Sequence, residues 1–287
     1  MLELVKILIF EAMKEFKASV IISTYNQPKW LEKVLWSYEQ QRFKDFEIII
    51  ADDGSNETTQ ILIQQFISNS QLDIVHVWQE DDGFQKTKIL NKAILKSRAG
   101  YLIFTDGDCM ARADFVERHI QLRRPKSALS GGYFKLNAQI SEAITKNDIV
   151  TQNCFSVSWL VEGGQPKHFK MNKLIAQGKS AWMLNTFTPT KATFDGMNAS
   201  VWKQDALAVN GFDERMQYGG EDREFGERLM NYGIKFLQAR YSLVCLHLHH
   251  ERPYKNEHSE AFNKAIRKDT KKNRTSFTNH GINKPNS

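Results

Sequence analysis

The strongest constraint on the fold of this 287-residue chain is a regular alternation of short apolar runs with stretches of helical periodicity. Four apolar runs have the length and composition of buried strands, and apolar residues spaced three and four apart mark a helix in each stretch between them. The strand runs lie at 20–22, 48–51, 75–78 and up to Thr105, and the helical positions are Leu31, Val34, Leu35 and Tyr38, then Leu62, Ile63, Phe66 and Ile67, then Ile89, Leu90, Ala93 and Ile94. This order predicts an α/β fold with a mostly parallel sheet flanked by helices.

Polar clusters follow three of the four predicted strands, at 23–26, 52–55 and 106–108. In parallel sheets, ligands bind beyond the carboxyl ends of the strands, so these clusters are expected at one edge. Three clusters at three strand ends are harder to explain by chance than one. The first strand is not followed by a G-x-G-x-x-G pattern, which disfavours dinucleotide redox chemistry, nor by a glycine-rich, lysine-containing phosphate loop, which disfavours a sugar nucleotidyltransferase.

Asp106 and Asp108 flank Gly107 directly after the apolar run that ends at Thr105. Residues two apart in extended backbone point the same way, so both carboxylates can face one cation, and the glycine lets a ligand approach closely. Mg2+ and Mn2+ bind phosphate-containing substrates with such carboxylates. An Asp-x-Asp pattern by itself is more often a solvated turn. A calcium loop is disfavoured because Met110 stands where that pattern needs another oxygen ligand.

The segments 19–26, 46–55 and 104–108 resemble the sugar-nucleotide-binding half of family 2 glycosyltransferases, which have the GT-A fold. Residues 81–84 followed by Asn91 resemble the chondroitin-polymerase branch, although Gln85 and Leu90 replace two arginines usual in that branch. The resemblance implies that Ser23 and Tyr25 with Asp53 hold uracil, that Asp106 lies near the ribose and that Asp108 binds the metal. The full set of donor-binding residues it implies is Ser23, Tyr25, Asn26, Asp53, Gly83, Phe84, Asn91, Asp106 and Gly107.

A second resemblance covers the segments 196–200, 210–213 and 218–225, which are similar to the C-terminal module shared by chondroitin polymerases and β-1,4-galactosyltransferases. Glycines before Glu221 and Asp222 place both acids on the first turn of a predicted helix. Acids are favoured there by about 0.3–1 kcal/mol without any catalytic role. The family pattern assigns the general base to Asp222 and contact with sugar hydroxyls to Glu221. It makes Asn198 and Tyr218 acceptor-binding residues, with Tyr218 in place of the usual Trp.

The segment Cys245 to Glu251 ends a predicted strand at 242–246 and contains three histidines. His247 and His250 are three apart, which is the spacing at which galactosyltransferases supply Met and His to manganese. We therefore expect His250, and then His247, to join Asp108 in binding Mn2+ or Mg2+, with His249 turned away. The alternatives are a partly exposed cluster without a metal and a separate zinc site that uses Cys245.

Composition is that of a globular protein, with 39 Lys and Arg against 33 Asp and Glu, a net charge of +6. Much of the excess follows Tyr254, and we expect a helix followed by a partly mobile end there. Such a positive segment can also contact anionic membrane. No recognition motif for nucleic acid accompanies it.

Three cysteines without close pairing fit a reducing compartment. The apolar patch at 2–10 is interrupted by charges and lacks a cleavage site, so it predicts a packed helix or a start at Met13 rather than a signal peptide.

We therefore predict four segments: an extension at 1–17, a UDP-sugar-binding half at 18–112, a mixed acceptor-binding and catalytic half at 113–254, and a basic tail or lid at 255–287. The predicted function is inverting, metal-dependent transfer of Gal, GalNAc, Glc or GlcNAc from a UDP-sugar to a glycan or lipid-linked glycan acceptor in surface polysaccharide or lipooligosaccharide synthesis. The alternative is a non-catalytic glycan- or nucleotide-binding protein on the same fold. The expected location is cytoplasmic, with or without peripheral contact at the inner face of the membrane.

Overall fold

The computed structural model describes residues 15–251 and 257–284, so the apolar patch at 2–10 lies outside the described residues. The strands are β1 Ala18–Thr24, β2 Phe46–Asp52, β3 Asp73–Trp78, β4 Tyr101–Asp106, β5 Cys109–Ala111, β6 Ser127–Ser130, β7 Gly132–Lys135, β8 Asn198–Trp202, β9 Lys235–Gln238 and β10 Val244–His247. The helices are α1 Pro28–Glu39, α2 Glu57–Asn69, α3 Lys86–Lys96, α4 Phe115–Leu122, α5 Ala138–Ala143, α6 Lys146–Val150, α7 Val157–Glu162, α8 Asn172–Ile175, α9 Gly178–Phe187, α10 Lys203–Ala208, α11 Glu221–Asn231 and α12 Glu257–Lys272.

The described chain forms a central seven-stranded sheet in the order β3-β2-β1-β4-β8-β6-β9. The first four strands are parallel to one another, as the sequence predicts. β8 is antiparallel to both of its neighbours, and β6 pairs in parallel with β9. The sheet is therefore mostly parallel, and its acceptor-side half is mixed.

Every residue of β1 and β2 is buried, because both strands lie between other strands of the sheet. Helices cover both faces, which explains why these strands read as continuous apolar runs rather than alternating ones. Local signals set the helix starts: Pro28 is the first residue of α1, and the Asn56 side chain accepts a hydrogen bond from the Thr59 amide at the start of α2.

A hydrophobic core on one face of the sheet joins the two predicted halves. Ile21 and Phe104 come from the donor half, whereas Phe194, Phe212 and Phe225 come from the acceptor half. Phe104 contacts the other three rings, and Phe212 stacks on Phe225 with ring centroids 4.3 Å apart. The two halves are therefore parts of one packed body.

A second, three-stranded sheet has the order β5-β10-β7 and places His247 opposite Cys109. The predicted strand at 242–246 is observed as Val244–His247. Between β7 and β8 the chain forms short helices whose periodicity was too brief to predict. Among the described residues, no helix combines the length and apolar character needed to cross a membrane.

The C-terminal segment contains a helix, as predicted, but its described end is not a free tail. Asn210 donates from Nδ2 to the carbonyls of Thr278 and Asn283, and Thr278 donates to Asp213. Residues 278–283 are therefore held against the domain by Asn210 and Asp213.

Candidate active site

The parallel pairing of β1 with β2 and β4 brings the three predicted polar clusters to one edge. Ser23 lies opposite Asp106, and Thr24 lies opposite Asp52. Ser23 Oγ donates to Asp106 Oδ1 at 2.6 Å, and the Gly107 amide donates to the Ser23 carbonyl at 2.7 Å. A Cβ at Gly107 would lie 3.1 Å from the Thr24 hydroxyl, so glycine keeps this turn close to β1.

Asp53 forms the floor of the predicted uracil position. Its carboxylate accepts from the Gln85 amide at 2.8 Å and from Gln79 Nε2 at 2.6 Å. Burial raises the pKa of Asp53 to about 6, although these two hydrogen bonds oppose the shift. The exposed Tyr25 donates its hydroxyl to Asp81 at 2.9 Å, so its ring stands at the mouth of this edge.

Two loops complete the donor side. Asn26 has a φ of 49°, and its side chain accepts from the Asn56 amide, which ties the first loop to the second. Gly83 is exposed, with a φ of +70° that favours glycine. The adjacent Phe84 meets Tyr218 of the acceptor side edge to face, with ring centroids 5.7 Å apart. The predicted donor and acceptor residues therefore meet in an aromatic contact.

The acid pair begins α11, as the sequence predicts. Gly220 at the helix start has a φ of 88°, and Glu221 accepts from the Gly219 amide at 3.0 Å. Burial, and then the charge of Asp222, raise the pKa of Glu221 to about 7. Asp222 is half-buried and accepts from the Gly196 amide at 3.0 Å. Two acids on one helical turn therefore have different environments.

Lys86 links the donor side to the acid pair, and sequence reasoning missed it. Its Nζ lies 2.6 Å from Asp106 Oδ1. Burial alone would lower the pKa of Lys86, but the charges of Asp106, Glu221 and Asp222 raise it above its usual range. A lysine on the first turn of a predicted helix is ordinarily solvated, so the sequence offered little reason to select Lys86. Its position two residues after Phe84, a predicted donor-binding residue, was the one local indication.

Asp195 is the second residue missed. It stands next to Gly196, whose amide binds Asp222. Burial, and then the negative charges of Asp222 and Asp106, raise the pKa of Asp195 to about 6. The segment that resembles the C-terminal module begins at residue 196, so the sequence offered no reason to select Asp195. It adds a further negative group to the space around Asp222.

The predicted metal residues also come together. His250 Nε2 lies 2.8 Å from Asp108 Oδ2, and His247 Nε2 lies 3.8 Å from the same oxygen. Both rings place Nδ1 2.8 Å from a backbone carbonyl, which only accepts, so Nδ1 carries the proton. Nε2 of each ring therefore faces the Asp108 carboxylate. Imidazole nitrogens and carboxylate oxygens are both ligands of divalent cations, so the chemistry of these residues fits a divalent metal ion.

Cys109 also adjoins this cluster. Within the described residues, ligand atoms of Asp108, Cys109 and His247 all lie within 4.8 Å of one another. The Cys109 thiol donates to Asp108 Oδ1 at 3.2 Å, and burial raises its pKa well above the usual value. A protonated thiol is a poor metal ligand, so the histidines are the better partners of Asp108. All three cysteines are free and buried, so Cys245 forms no disulfide.

Two predicted contact residues are buried and bind protein groups. Asn91 donates to the Phe212 carbonyl and accepts from the Phe212 amide. Asn198 donates to the carbonyls of Gly132 and Leu243, 2.7 and 3.0 Å away. Both amides hold loops beside the site, so any effect they have on ligands would act through those loops.

Two family models match the chain. The model described as glycosyl transferase family 2 matches residues 19–129, and the one described as N-terminal domain of galactosyltransferase matches residues 185–255. The first range contains the donor-side strand ends, and the second contains the acid pair and the histidines. The chain therefore carries a family 2 glycosyltransferase match in its first half and a galactosyltransferase match in its second half.

Curated relatives agree with this assignment. The chain is 30% identical over 272 residues to chondroitin synthase of Escherichia coli, an alignment that covers 86% of this chain and 37% of that protein. It is 26% identical over 238 residues to validoxylamine A glucosyltransferase of Streptomyces hygroscopicus subsp. jinggangensis, covering 78% of this chain and 54% of that protein. The chain thus spans well under two thirds of the length of either relative.

Solved structures share the GT-A fold at low sequence identity. A mannosyltransferase from Pyrobaculum calidifontis in complex with GDP-Man and Mn2+ has a TM-score of 0.56 at 18% identity, covering 84% of this chain and 59% of that chain. S. aureus TarS 1-349 in complex with UDP-GlcNAc has a TM-score of 0.56 at 15% identity, covering 90% of this chain and 72% of that chain.

Proposed function

We propose that this chain is an inverting, metal-dependent hexosyltransferase that moves a hexose from a UDP-sugar to a sugar hydroxyl. The observation that carries the proposal is the meeting of donor-side and acceptor-side carboxylates around Lys86. Its Nζ lies 2.6 Å from Asp106, and the charges of Glu221 and Asp222 act on it directly. A donor bound along the strand edge and an acceptor bound at the start of α11 would therefore have their reacting atoms in one space.

The donor would lie across the ends of β1, β2 and β4. Tyr25 and Asp53, with Ser23, would hold the uracil, and Asp106 would lie near the ribose. The arrangement of Asp53, fixed by two hydrogen bonds, supports this placement because a preorganised acceptor selects a base edge at little entropic cost. One similar solved structure contains UDP-GlcNAc and the other contains GDP-Man. The choice of uracil as the base therefore depends on the resemblance of the motifs.

Asp222 would act as the general base. Its carboxylate is held by the Gly196 amide and remains half-buried, within reach of an incoming hydroxyl. As the acceptor oxygen attacks the anomeric carbon, its proton passes to Asp222, and the electrons of the breaking bond leave with UDP. A single displacement converts an α-linked donor into a β-linked product. Glu221, with a pKa of about 7, can donate to or accept from sugar hydroxyls.

Asp108, His250 and His247 would hold Mn2+ or Mg2+. Bound there, the ion supplies positive charge to the diphosphate of the leaving group. Asp108 is suited to this role because burial opposes its ionised form, whereas the neighbouring histidines lower its pKa below the usual value. The carboxylate is therefore ionised at neutral pH before any ligand arrives.

The acceptor would be a glycan, free or lipid-linked, in the synthesis of a surface polysaccharide or lipooligosaccharide. The chondroitin synthase relative supports a polysaccharide product. The edge-to-face pair of Phe84 and Tyr218 offers an apolar surface for one face of a sugar ring. The donor hexose among Gal, GalNAc, Glc and GlcNAc depends on pocket contacts at the level of single hydroxyl groups.

The test is release of UDP from the four UDP-hexoses with Mn2+ or Mg2+. We expect turnover of one donor, lost on metal removal and in Asp108→Ala, and reduced at least about 100-fold in Asp222→Asn because general base catalysis contributes about that much. Asp45→Asn, an exposed carboxylate remote from the edge, serves as the matched control and should behave as wild type.

A second pair of variants tests the central lysine. Lys86→Met should lower activity by about 10- to 100-fold, the range expected for loss of a charged hydrogen bond, whereas Lys88→Met on the same helix should not. Lys88 is 3.9 Å from Asp82 in a partly exposed pair. UDP binding without turnover in any donor and acceptor mixture would favour the non-catalytic binding protein. Absence of UDP binding would overturn the donor site itself.

A further inference from the structure

A surface outside the proposed site exposes large apolar side chains together. It comprises residues 167–191, which we call the 167–191 surface. Phe169 is 72% exposed, Trp182 63% and Phe187 74%, and Ile175 and Met183 are also more than half exposed. Several large exposed apolar side chains in one short segment mark an interaction site more often than single scattered ones do.

The helix α9 carries its apolar stripe outward. Of its residues, all of which the structure describes, Ala181 alone is buried. Met183 and Phe187 are four residues apart and share a face of the helix, Trp182 lies next to that face, and all three are exposed to solvent. The helix is nevertheless anchored, because Asn185 donates to the Ser242 hydroxyl and accepts from the Tyr241 amide, both at 2.9 Å. The outward stripe is therefore a fixed feature of the fold.

The charged side chains within residues 167–191 are all positive. Between Gly163 and Phe194 the sequence contains no Asp or Glu, whereas it contains Lys167, Lys170, Lys173, Lys179 and Lys191. Burial, and then the positive charges of Arg240 and Lys170, lower the pKa of Lys173 to about 8. Neighbouring elements therefore add positive charge to the surface.

The basic C-terminal helix differs in this respect. α12 carries Glu257, Glu260 and Asp269 among its lysines. Arg267 and Lys271 both pair with Glu227 of α11, with N to O distances of 2.5 and 3.1 Å. Two of the basic residues that the sequence predicted for membrane contact therefore form ion pairs within the protein.

We propose that the 167–191 surface binds the interface of an anionic lipid bilayer. Aromatic and long apolar side chains enter the headgroup boundary, and lysines around them attract anionic headgroups. Charge complementarity favours this occupant over a second copy of the chain, because a symmetric dimer through this surface would bring two sets of lysines together. This binding does not depend on the proposed reaction.

The surface also leads directly to the proposed acceptor side. Residues 188–194 connect α9 to Asp195 and Gly196, and Gly196 holds Asp222. On the proposed function, membrane contact at this surface would bring the acceptor side of the site toward the bilayer, where a lipid-linked glycan would present its sugar.

The test is flotation of the full chain with vesicles of phosphatidylcholine alone or mixed with phosphatidylglycerol, at an ionic strength of about 0.15 M. Wild type should float with the anionic vesicles and remain below with the neutral ones. Lys167→Gln/Lys170→Gln/Lys179→Gln should weaken partitioning about 100-fold, at about fivefold per lysine. Trp182→Ser/Phe187→Ser should abolish flotation.

Matched controls separate this surface from general effects of charge and apolar exposure. Lys264→Gln/Lys268→Gln/Lys272→Gln removes three exposed lysines of α12, and Ile61→Ser/Leu95→Ser removes two residues exposed by 50% and 55% elsewhere. Both should float as wild type does. Wild type that fails to float, or surface variants that float normally, would overturn the proposal. So would a wild-type dimer that the surface variants dissociate. UDP release measured without lipid tests the reaction separately.

Discussion

The burial of Glu221 makes the stability of the folded chain depend on pH at the scale of one residue. Its carboxyl group is buried beside Asp222, and its pKa in the folded chain is about 7 against a usual value of 4.5. The folded state therefore keeps its proton to higher pH than the unfolded state does. The contribution of Glu221 to stability is complete below the unfolded pKa and is lost as the pH rises through about 7.

This sign predicts a pH-dependent effect of Glu221→Gln. The amide keeps the acceptor for the Gly219 amide but never carries the buried charge. We expect the free energy of unfolding of the variant, relative to wild type, to increase by about 1–3 kcal/mol between pH 5 and pH 8. Urea unfolding at both pH values measures it. Glu57→Gln, an exposed acid at the start of α2, should show a flat difference; a flat difference for Glu221→Gln as well would contradict the argument.

At the residue scale, the sequence predicted the positions of those candidate residues that stand in a local pattern. Asp106 and Asp108 follow a strand, and Glu221 and Asp222 follow two glycines, so their spacing predicted where they would lie. Lys86 has no such signature, since its role depends on acids more than a hundred residues away in the chain. Asn91 and Asn198 were predicted to contact ligands, but their amides bind backbone groups of the protein. A buried amide in such a motif can hold a loop as well as it can bind a ligand.

At the scale of elements, α12 braces the loop that carries the acid pair. Asn263 is fully buried, and its Nδ2 donates to the carbonyls of Gln217, Tyr218 and Gly219 at 2.8–3.2 Å. A Cβ at Gly220 would lie 3.1 Å from the Arg267 side chain. This helix lies beyond residue 255, where the second family match ends, so it supports the loop before the acid pair from outside the matched segments.

The brace predicts an effect of Asn263→Ala on turnover. Loss of the two N–H donors that three carbonyls of one loop share should lower stability by about 1–3 kcal/mol, and displacement of the acid pair should lower kcat by about tenfold or more. Because the loop lies on the acceptor side, acceptor KM should rise while donor affinity stays at the wild-type value. Asn273→Ala removes an exposed amide bonded to Asp269 and serves as the control. Equal losses in donor and acceptor binding would argue for general loosening instead.

Element prediction worked best in the first hundred residues. Long periodic stretches between apolar runs specify a strand, helix, strand order, and β1 to β4 follow it. Short helices between β7 and β8 span four to ten residues, too few for a periodic pattern to separate them from loops. The packed end of the chain depends on Asn210, whose partners lie near residue 280, and no local pattern shows such a contact.

At the scale of the whole molecule, the two family matches meet within one sheet. β4 of the first range pairs with β8 of the second, in register from Tyr101 opposite Trp202 to Thr105 opposite Asn198. Phe104 packs against three aromatic rings of the acceptor half. Separating the halves would expose the edge of β4 and this aromatic core to water, at a cost that neither half recovers by itself.

The shared sheet predicts a single cooperative unfolding transition. Native-state hydrogen exchange in increasing urea should show the amides of β1 and β8 converging on one free energy of opening, because neither strand can leave the sheet without exposing the common core. Amides near the exposed start of α9 should open at lower free energy, which provides an internal reference for local motion. If β8 instead opened well below β1 and with a smaller urea dependence, the acceptor half would unfold first, and the aromatic cluster around Phe104 would not couple the halves. Coupling of this kind matters for the proposed reaction, since Lys86 and Asp222 come from opposite halves and act together only while the sheet between them is intact.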